Sequence, residues 1–183
     1  MRRTTTTMDA DRLTVPVSHR DHLQGSIEAA TTLLEYGDFE CPACGAAYPM
    51  VKAVQESLGE SLCFAFRNFP LTNIHPHAEH AAEAAEAAGA QGKFWEMHDA
   101  LYENQDALED EDLASYGTDL GLDADRLLSE VLSHSHLPRI QEDFRGGIRS
   151  GVNGTPTFYI NNIRYNGAYD VESLLAAIRD EAG

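Results

Sequence analysis

Lysine is nearly missing: Lys52 and Lys93 are the only two in 183 residues, and with arginine the chain carries 13 bases against 30 acids, a net charge of −17. Affinity for a phosphate backbone comes from clustered Lys and Arg, so nucleic acid is excluded as the main partner. No apolar run approaches the roughly 20 residues that cross a bilayer, and no membrane span is expected. The opening residues MRRTTTTMDADRL contain two arginines with no hydrophobic stretch behind them. They show no secretory leader, so a cytoplasmic address is expected, or a periplasmic or extracytoplasmic one if a leader has been trimmed away. Three cysteines cannot form a disulfide framework in a chain of this length. Their spacing therefore carries more than their number.

What is present is one globular domain's worth of chain with a hydrophobic content of 43%, enough to bury a real core. Residues 1–24 are polar and aperiodic and read as a tail that docks in part through Val15 and Val17. From Thr31 to Tyr36 a β-prone apolar run with one acid, Glu35, stops at Gly37 and Asp38 as a buried strand would. Tyr48, Val51, Val54 and Leu58 then recur at helical spacing, with Pro42 where a first turn tolerates proline and Gly59 near the stop. Leu62 to Phe66 reads as a second buried strand.

Residues 74–145 show only helical patterns: an alanine-rich stretch, a segment with Phe94, Met97 and Leu101, two shorter helices, and a last one near Pro138 with Ile140, Phe144 and Ile148 on one side. From His75 to Arg145 seventeen acids face four bases, which reads as a solvated outer face. Thr157 to Ile160 and Ile163 to Tyr165, joined by Asn161 and Asn162, form a hairpin pattern, because asparagine accepts left-handed turn geometry. Asp170 can cap a final helix that turns Val171, Leu174, Leu175 and Ile178 inward. The fold class is therefore α/β: a sheet domain made of residues 25–73 and 146–183, interrupted by an all-helical insertion at 74–145.

Cys41 and Cys44 form a C-x-x-C where a strand gives way to a helix. A helix start offers unpaired amide donors and the positive end of the helix dipole, and both favour a thiolate. An ordinary thiol is mostly protonated at neutral pH, so this seat activates the first sulfur. Cys41 is expected to be the nucleophile and Cys44, a turn inward, the resolving thiol. The competing reading is a structural zinc half-site, but no second C-x-x-C supplies the remaining ligands, and Cys63 sits among Leu62, Phe64 and Phe66 as a core thiol. His75, His77 and His80 also invite a metal reading, set against ordinary surface and capping histidines in a first helical turn. No metal is assigned.

The segments LLEYGDFECPACGAAYP, FRNFPL, HPHAEHAAEAAEAAGAQGKFWEMHDALYENQ and GTPTFYINN, in that order, resemble the DsbA-like thiol oxidoreductases of the thioredoxin superfamily over about Ile27 to Ile178. The resemblance implies a thioredoxin fold split by a helical domain and a cis bond at Pro156 beside the dithiol. It also implies an acid beneath that dithiol, here Glu35, whose raised pKa would let it take or return the proton of Cys44. Thr155 would offer a backbone edge to a substrate chain, with Pro42, Ala43 and Pro156 as further substrate-binding residues; Phe39, just ahead of the dithiol, reads as either touching substrate or packing. Asp38, Glu40 and the Pro-Ala dipeptide lead to the expectation of a Cys41 less acidic, and a disulfide less oxidising, than in CPHC members of the family.

The activity implied is disulfide exchange with protein or peptide substrates and a redox partner not identifiable from the sequence, in a monomer that needs no cofactor. The alternative is a thioredoxin-fold binding or chaperone module whose C-x-x-C is incidental or holds zinc.

Overall fold

The computed structural model describes residues 11–183. Two parallel strands, β2 (Thr31–Gly37) and β3 (Leu62–Asn68), lie side by side, with Leu33 opposite Phe64 and Glu35 opposite Phe66. The crossover between them is helix α1 (Pro42–Leu58). Both strands are buried at nearly every position because both faces of the sheet are covered. Alternation sends Leu33 toward α1, where it packs with Val51 and Val54, and sends Leu34 and Tyr36 to the opposite face with Phe69 and Tyr159. Glu35 has the parity of Leu33, so its carboxyl points toward the α1 side.

Strand β1 (His22–Gln24) pairs antiparallel with β3 on one edge. On the other side β4 (Thr157–Ile160) pairs antiparallel with β2, and β5 (Ile163–Arg164) with β4, which completes the order β1-β3-β2-β4-β5. Asn161 and Asn162 make the β4–β5 turn with φ of 48° and 69°, the left-handed geometry that asparagine accepts best after glycine. Helix α7 (Val171–Ala182) begins at Asp170, whose carboxylate accepts the amide of Ser173, and buries Leu174 and Ile178 against the α1 face.

Between β3 and β4 lie five helices: α2 (Ala78–Ala90), α3 (Phe94–Glu103), α4 (Asp110–Asp119), α5 (Ala124–Leu132) and α6 (Leu137–Arg149). The alanines of α2 are nearly all buried, and Met97, Leu101, Leu113, Leu127, Val131 and Ile140 close round them. The same cluster includes Phe39, Cys41, Cys44 and Phe66. The insertion's core and the C-x-x-C therefore share one packed interior.

Two boundaries differ from the sequence reading. Residues 1–24 are not all tail: His22–Gln24 is a sheet strand, and Leu13 is buried while Val15 is exposed and Val17 half-buried. Val15 contributes its carbonyl, which with that of Pro16 accepts from the buried Arg67 guanidinium, itself paired with Asp21 at 2.7 Å. Residues 1–10 of the expected tail lie outside the described residues. The boundary at 145/146 falls inside α6, which runs unbroken to Arg149 and packs on the sheet. There a side chain at Gly147 would meet Phe69 at 2.8 Å and Tyr36 at 3.0 Å. For that helix Ile140 is buried, Phe144 half-buried and Ile148 exposed, so the apolar face ends a turn earlier than its spacing suggests.

Candidate active site

Cys41 stands at the N-cap of α1 in extended backbone (φ −69°, ψ 120°), with Pro42 in the first turn. Proline there sacrifices no hydrogen bond, because the first amides of a helix have no partner inside it. The amides of Ala43 and Cys44 stay free for the Cys41 sulfur. Together with the Cys44 thiol, the largest contributor, and Thr155, they outweigh burial and hold the Cys41 thiol down at about 5. Cys41 Sγ lies 3.5 Å from the carbonyl oxygen of Thr155, toward which its thiol form donates. Both cysteines are free thiols; Cys41 is 6% exposed and Cys44 fully buried. Burial, the bond to Cys41 and the charge of Glu35 all push Cys44 far above an ordinary thiol.

Glu35 is 2% exposed, its Oε1 has no hydrogen-bond partner among the described residues, and burial followed by repulsion from Cys41 raises it to about 8. A carboxyl in that condition keeps its proton at neutral pH and can give it to a neighbouring thiolate. The Thr155–Pro156 peptide is cis; Pro156 is buried, Thr155 half-buried, and Pro42 and Ala43 are exposed. These four residues form the rim around Cys41.

Of the two readings of Phe39, contact with substrate is the one to correct: the residue is 1% exposed and packs on Phe66 at 5.2 Å and Tyr102 at 4.9 Å between ring centroids. Its ring belongs to the interior that the sheet shares with the insertion.

Asp38 and Glu40 do not face Cys41 as bare charges. The buried Asp38 accepts from the amides of Glu40 (2.8 Å) and Leu71 (2.9 Å) and from His75 Nδ1 (2.8 Å). Glu40 accepts from the His77 amide at 2.7 Å and from His77 Nδ1 at 2.9 Å. The three histidines weighed together for a metal thus part company: His75 serves Asp38, His77 serves Glu40, and His80 turns to Asp110 at 2.6 Å.

Three contributors escaped the sequence reading. Gln105, in the turn after α3, donates from Nε2 to the carbonyls of Phe39 and Cys41. Tyr102 buries its hydroxyl without a partner among the described residues, and burial above all holds that phenol protonated. Tyr169, half exposed, donates to the Pro156 carbonyl at 2.9 Å and sets its ring edge-on to Phe158. No spacing rule links such residues to Cys41, because the chain fold alone brings them there.

A family described as Thioredoxin matches residues 18–180. Among curated proteins, the Na(+)/H(+) antiporter NhaA 1 of Salinispora arenicola (strain CNS-205) is 48% identical over 169 residues, which is 91% of this chain and 26% of that protein. The chain thus spans about a quarter of the length of the curated relatives it matches. Among solved structures, oxidised BdbD from Bacillus subtilis superposes with a TM-score of 0.82 at 20% identity, over 94% of this chain and 98% of that one. A thioredoxin-like oxidoreductase from Silicibacter pomeroyi DSS-3 gives 0.78 at 24% identity, over 90% and 93%. The split sheet with its helical insertion is therefore the fold of those two structures. No helix among the described residues is long and apolar enough to cross a membrane, and the cytoplasmic address expected from the opening residues finds no support in these likenesses.

Proposed function

The chain belongs to the thioredoxin family, and on that premise we propose that it is a thiol–disulfide oxidoreductase that exchanges disulfides with protein or peptide substrates through Cys41 and Cys44. The observation that carries this reading is the asymmetry of the pair: one thiol held at about 5, the other pushed far up, above a carboxyl raised to about 8. In the oxidised enzyme a substrate thiolate attacks Cys41 Sγ and the Cys41–Cys44 bond breaks. Cys44 leaves with the electron pair and takes the proton of Glu35. A second substrate thiolate attacks the substrate sulfur of the mixed disulfide and expels Cys41 as a thiolate. The substrate loses two electrons and the enzyme gains them; an external redox partner restores the disulfide.

A stabilised Cys41 thiolate makes the reduced form the favoured one, so the pair works as an oxidant. Thr155 and Pro156 hold an extended substrate backbone beside the sulfur, with Pro42 and Ala43 on the opposite side. All of these groups lie on one chain, and the exchange needs no second subunit.

Oxidative refolding of a reduced disulfide protein, with wild type and Cys41→Ser, tests the activity. Wild type is expected to speed regain of the native disulfides and the variant to do nothing; equal rates would overturn the assignment. Equilibration with glutathione tests the direction. A potential nearer about −120 mV than about −270 mV is expected, and one at or below the latter would make the protein a reductant.

A further inference from the structure

Away from the cysteines, in the insertion, His80 and Glu83 lie one turn apart on α2, and His134 stands in the turn after α5, just beyond its C-cap Ser133. One ligand atom from each lies within 4.8 Å of the others. Glu83 has no exposed side-chain surface, yet among the described residues its carboxylate hydrogen-bonds only with His134 Nδ1, at 3.0 and 3.2 Å from its two oxygens, and His134 is itself 47% exposed. A buried carboxylate normally has a firm cation or several donors. Here the compensation is one half-exposed imidazole.

His80 supplies the second half of the geometry. Its Nδ1 donates to Asp110 Oδ1 at 2.6 Å, and in the neutral ring that tautomer puts the lone pair on Nε2. A carboxylate on the far nitrogen is the arrangement that orients a metal-bound histidine and raises its basicity. His134 has φ of 55°, and its ring centroid lies 5.8 Å from that of His80. In a tetrahedral zinc site with bonds of about 2.0–2.2 Å the ligand atoms stand roughly 3.4 Å apart. Closing from the present separation takes small rotations of two partly exposed imidazoles around a carboxylate that burial already fixes.

We infer that His80, Glu83 and His134 form a binding site for a divalent transition metal, zinc first, with Asp110 orienting His80 and water filling the fourth position. Two imidazole nitrogens and one carboxylate suit zinc and its neighbours rather than calcium or magnesium, which take all-oxygen shells. The negative charge of the surrounding helices raises the local concentration of cations. Bound metal ties α2 to the turn after α5 and, through Asp110, to the start of α4.

Zinc titration of a Cys41→Ser/Cys44→Ser protein followed by calorimetry tests this without competition from the dithiol, and cobalt absorption reports the ligand field. One equivalent of zinc is expected, together with a rise in thermal midpoint. His80→Ala and His134→Asn, the latter chosen because asparagine keeps the left-handed backbone, should each weaken binding at least about tenfold. Asp110→Asn should weaken it on the order of tenfold, and His75→Ala should leave it unchanged. Absence of saturable binding up to millimolar zinc in the well-folded double variant would overturn the site. So would one-equivalent binding that survives both histidine substitutions, since it would place the metal elsewhere.

Discussion

The side-chain amide of Gln105 donates to the main-chain carbonyl of Cys41 at 2.9 Å and to that of Phe39 at 2.8 Å. A residue of the helical insertion thereby clamps the loop that presents the reactive sulfur. Gly45, the first residue whose amide bonds back to Cys41, lies so close that a methyl group there would run into the Gln105 carboxamide. Gln105→Ala strips the side-chain donor from the Phe39 carbonyl and leaves the Cys41 carbonyl with the Gly45 amide alone, worth about 1–3 kcal/mol where water does not reach the freed oxygen. Urea unfolding should show a loss in that range with slower disulfide exchange. Gly45→Ala should act through the same contact, so the double variant should lose less than the sum of the two.

The titration of Cys41 gives a second expectation. Its thiol sits at about 5 when folded against an ordinary 9.0, so between those values the unfolded reduced chain holds a proton that the folded one lacks. Stability from this group is fully present above pH 9 and is lost as pH falls through 5. Glu35, raised from 4.5 to about 8, works the other way, and its contribution is lost as pH rises through 8. The stability of reduced wild type minus that of Cys41→Ser should therefore grow from pH 5 to pH 9 in urea titrations. Iodoacetamide labelling of Cys41 should have its midpoint near 5, and Cys44→Ala, which removes the largest stabilising contact, should move that midpoint upward.

Glu35→Gln tests the proton path. Glutamine keeps the volume and loses the titrating group, so departure of Cys44 as the mixed disulfide forms should slow, on the order of 100-fold where proton transfer limits the step. The limb of the pH–rate profile near 8 should disappear. A profile unchanged in shape, with only the rate lowered, would mean that Glu35 acts by packing alone.

Much of this site was legible in the sequence for a specific reason: its central residues are close in sequence or governed by local geometry. Pro42 after Cys41 marks a helix start, and the resemblance to DsbA-like proteins, with apolar neighbours on either side, points to Glu35. The two asparagines announce a left-handed turn. What could not be read depends on long-range closure. Phe39 lies directly beside the dithiol in sequence but is swept inward because Phe66 and Tyr102 arrive from β3 and α3 to cover it. Asp38 and Glu40 look like repelling charges until the loop after β3 brings His75, His77 and the Leu71 amide against them. His22–Gln24 has too few residues for a strand pattern and becomes one only because β3 offers a free edge.

Asp38 is consequently a structural hub, and its removal should be costly. Asp38→Ala strips the partner from two amides and one imidazole in a site that is 1% exposed, with about 1–3 kcal/mol at stake for each buried donor. Chemical denaturation should show a loss of several kcal/mol, against less than about 1 kcal/mol for Glu40→Gln, which keeps an acceptor for the more accessible His77.

Tyr169 governs the opposite wall. Its hydroxyl occupies the carbonyl of Pro156 at 2.9 Å, and half of its surface faces the solvent from which a substrate arrives. Tyr169→Phe removes the donor but keeps the ring against Phe158, so the fold should survive with a loss of about 1 kcal/mol. The freed carbonyl and the loosened Thr155–Pro156 segment should weaken peptide capture. KM for a peptide disulfide is therefore expected to rise several-fold while the alkylation midpoint of Cys41 stays in place. A shift of that midpoint with unchanged KM would instead make Tyr169 part of the electrostatics of the thiol pair.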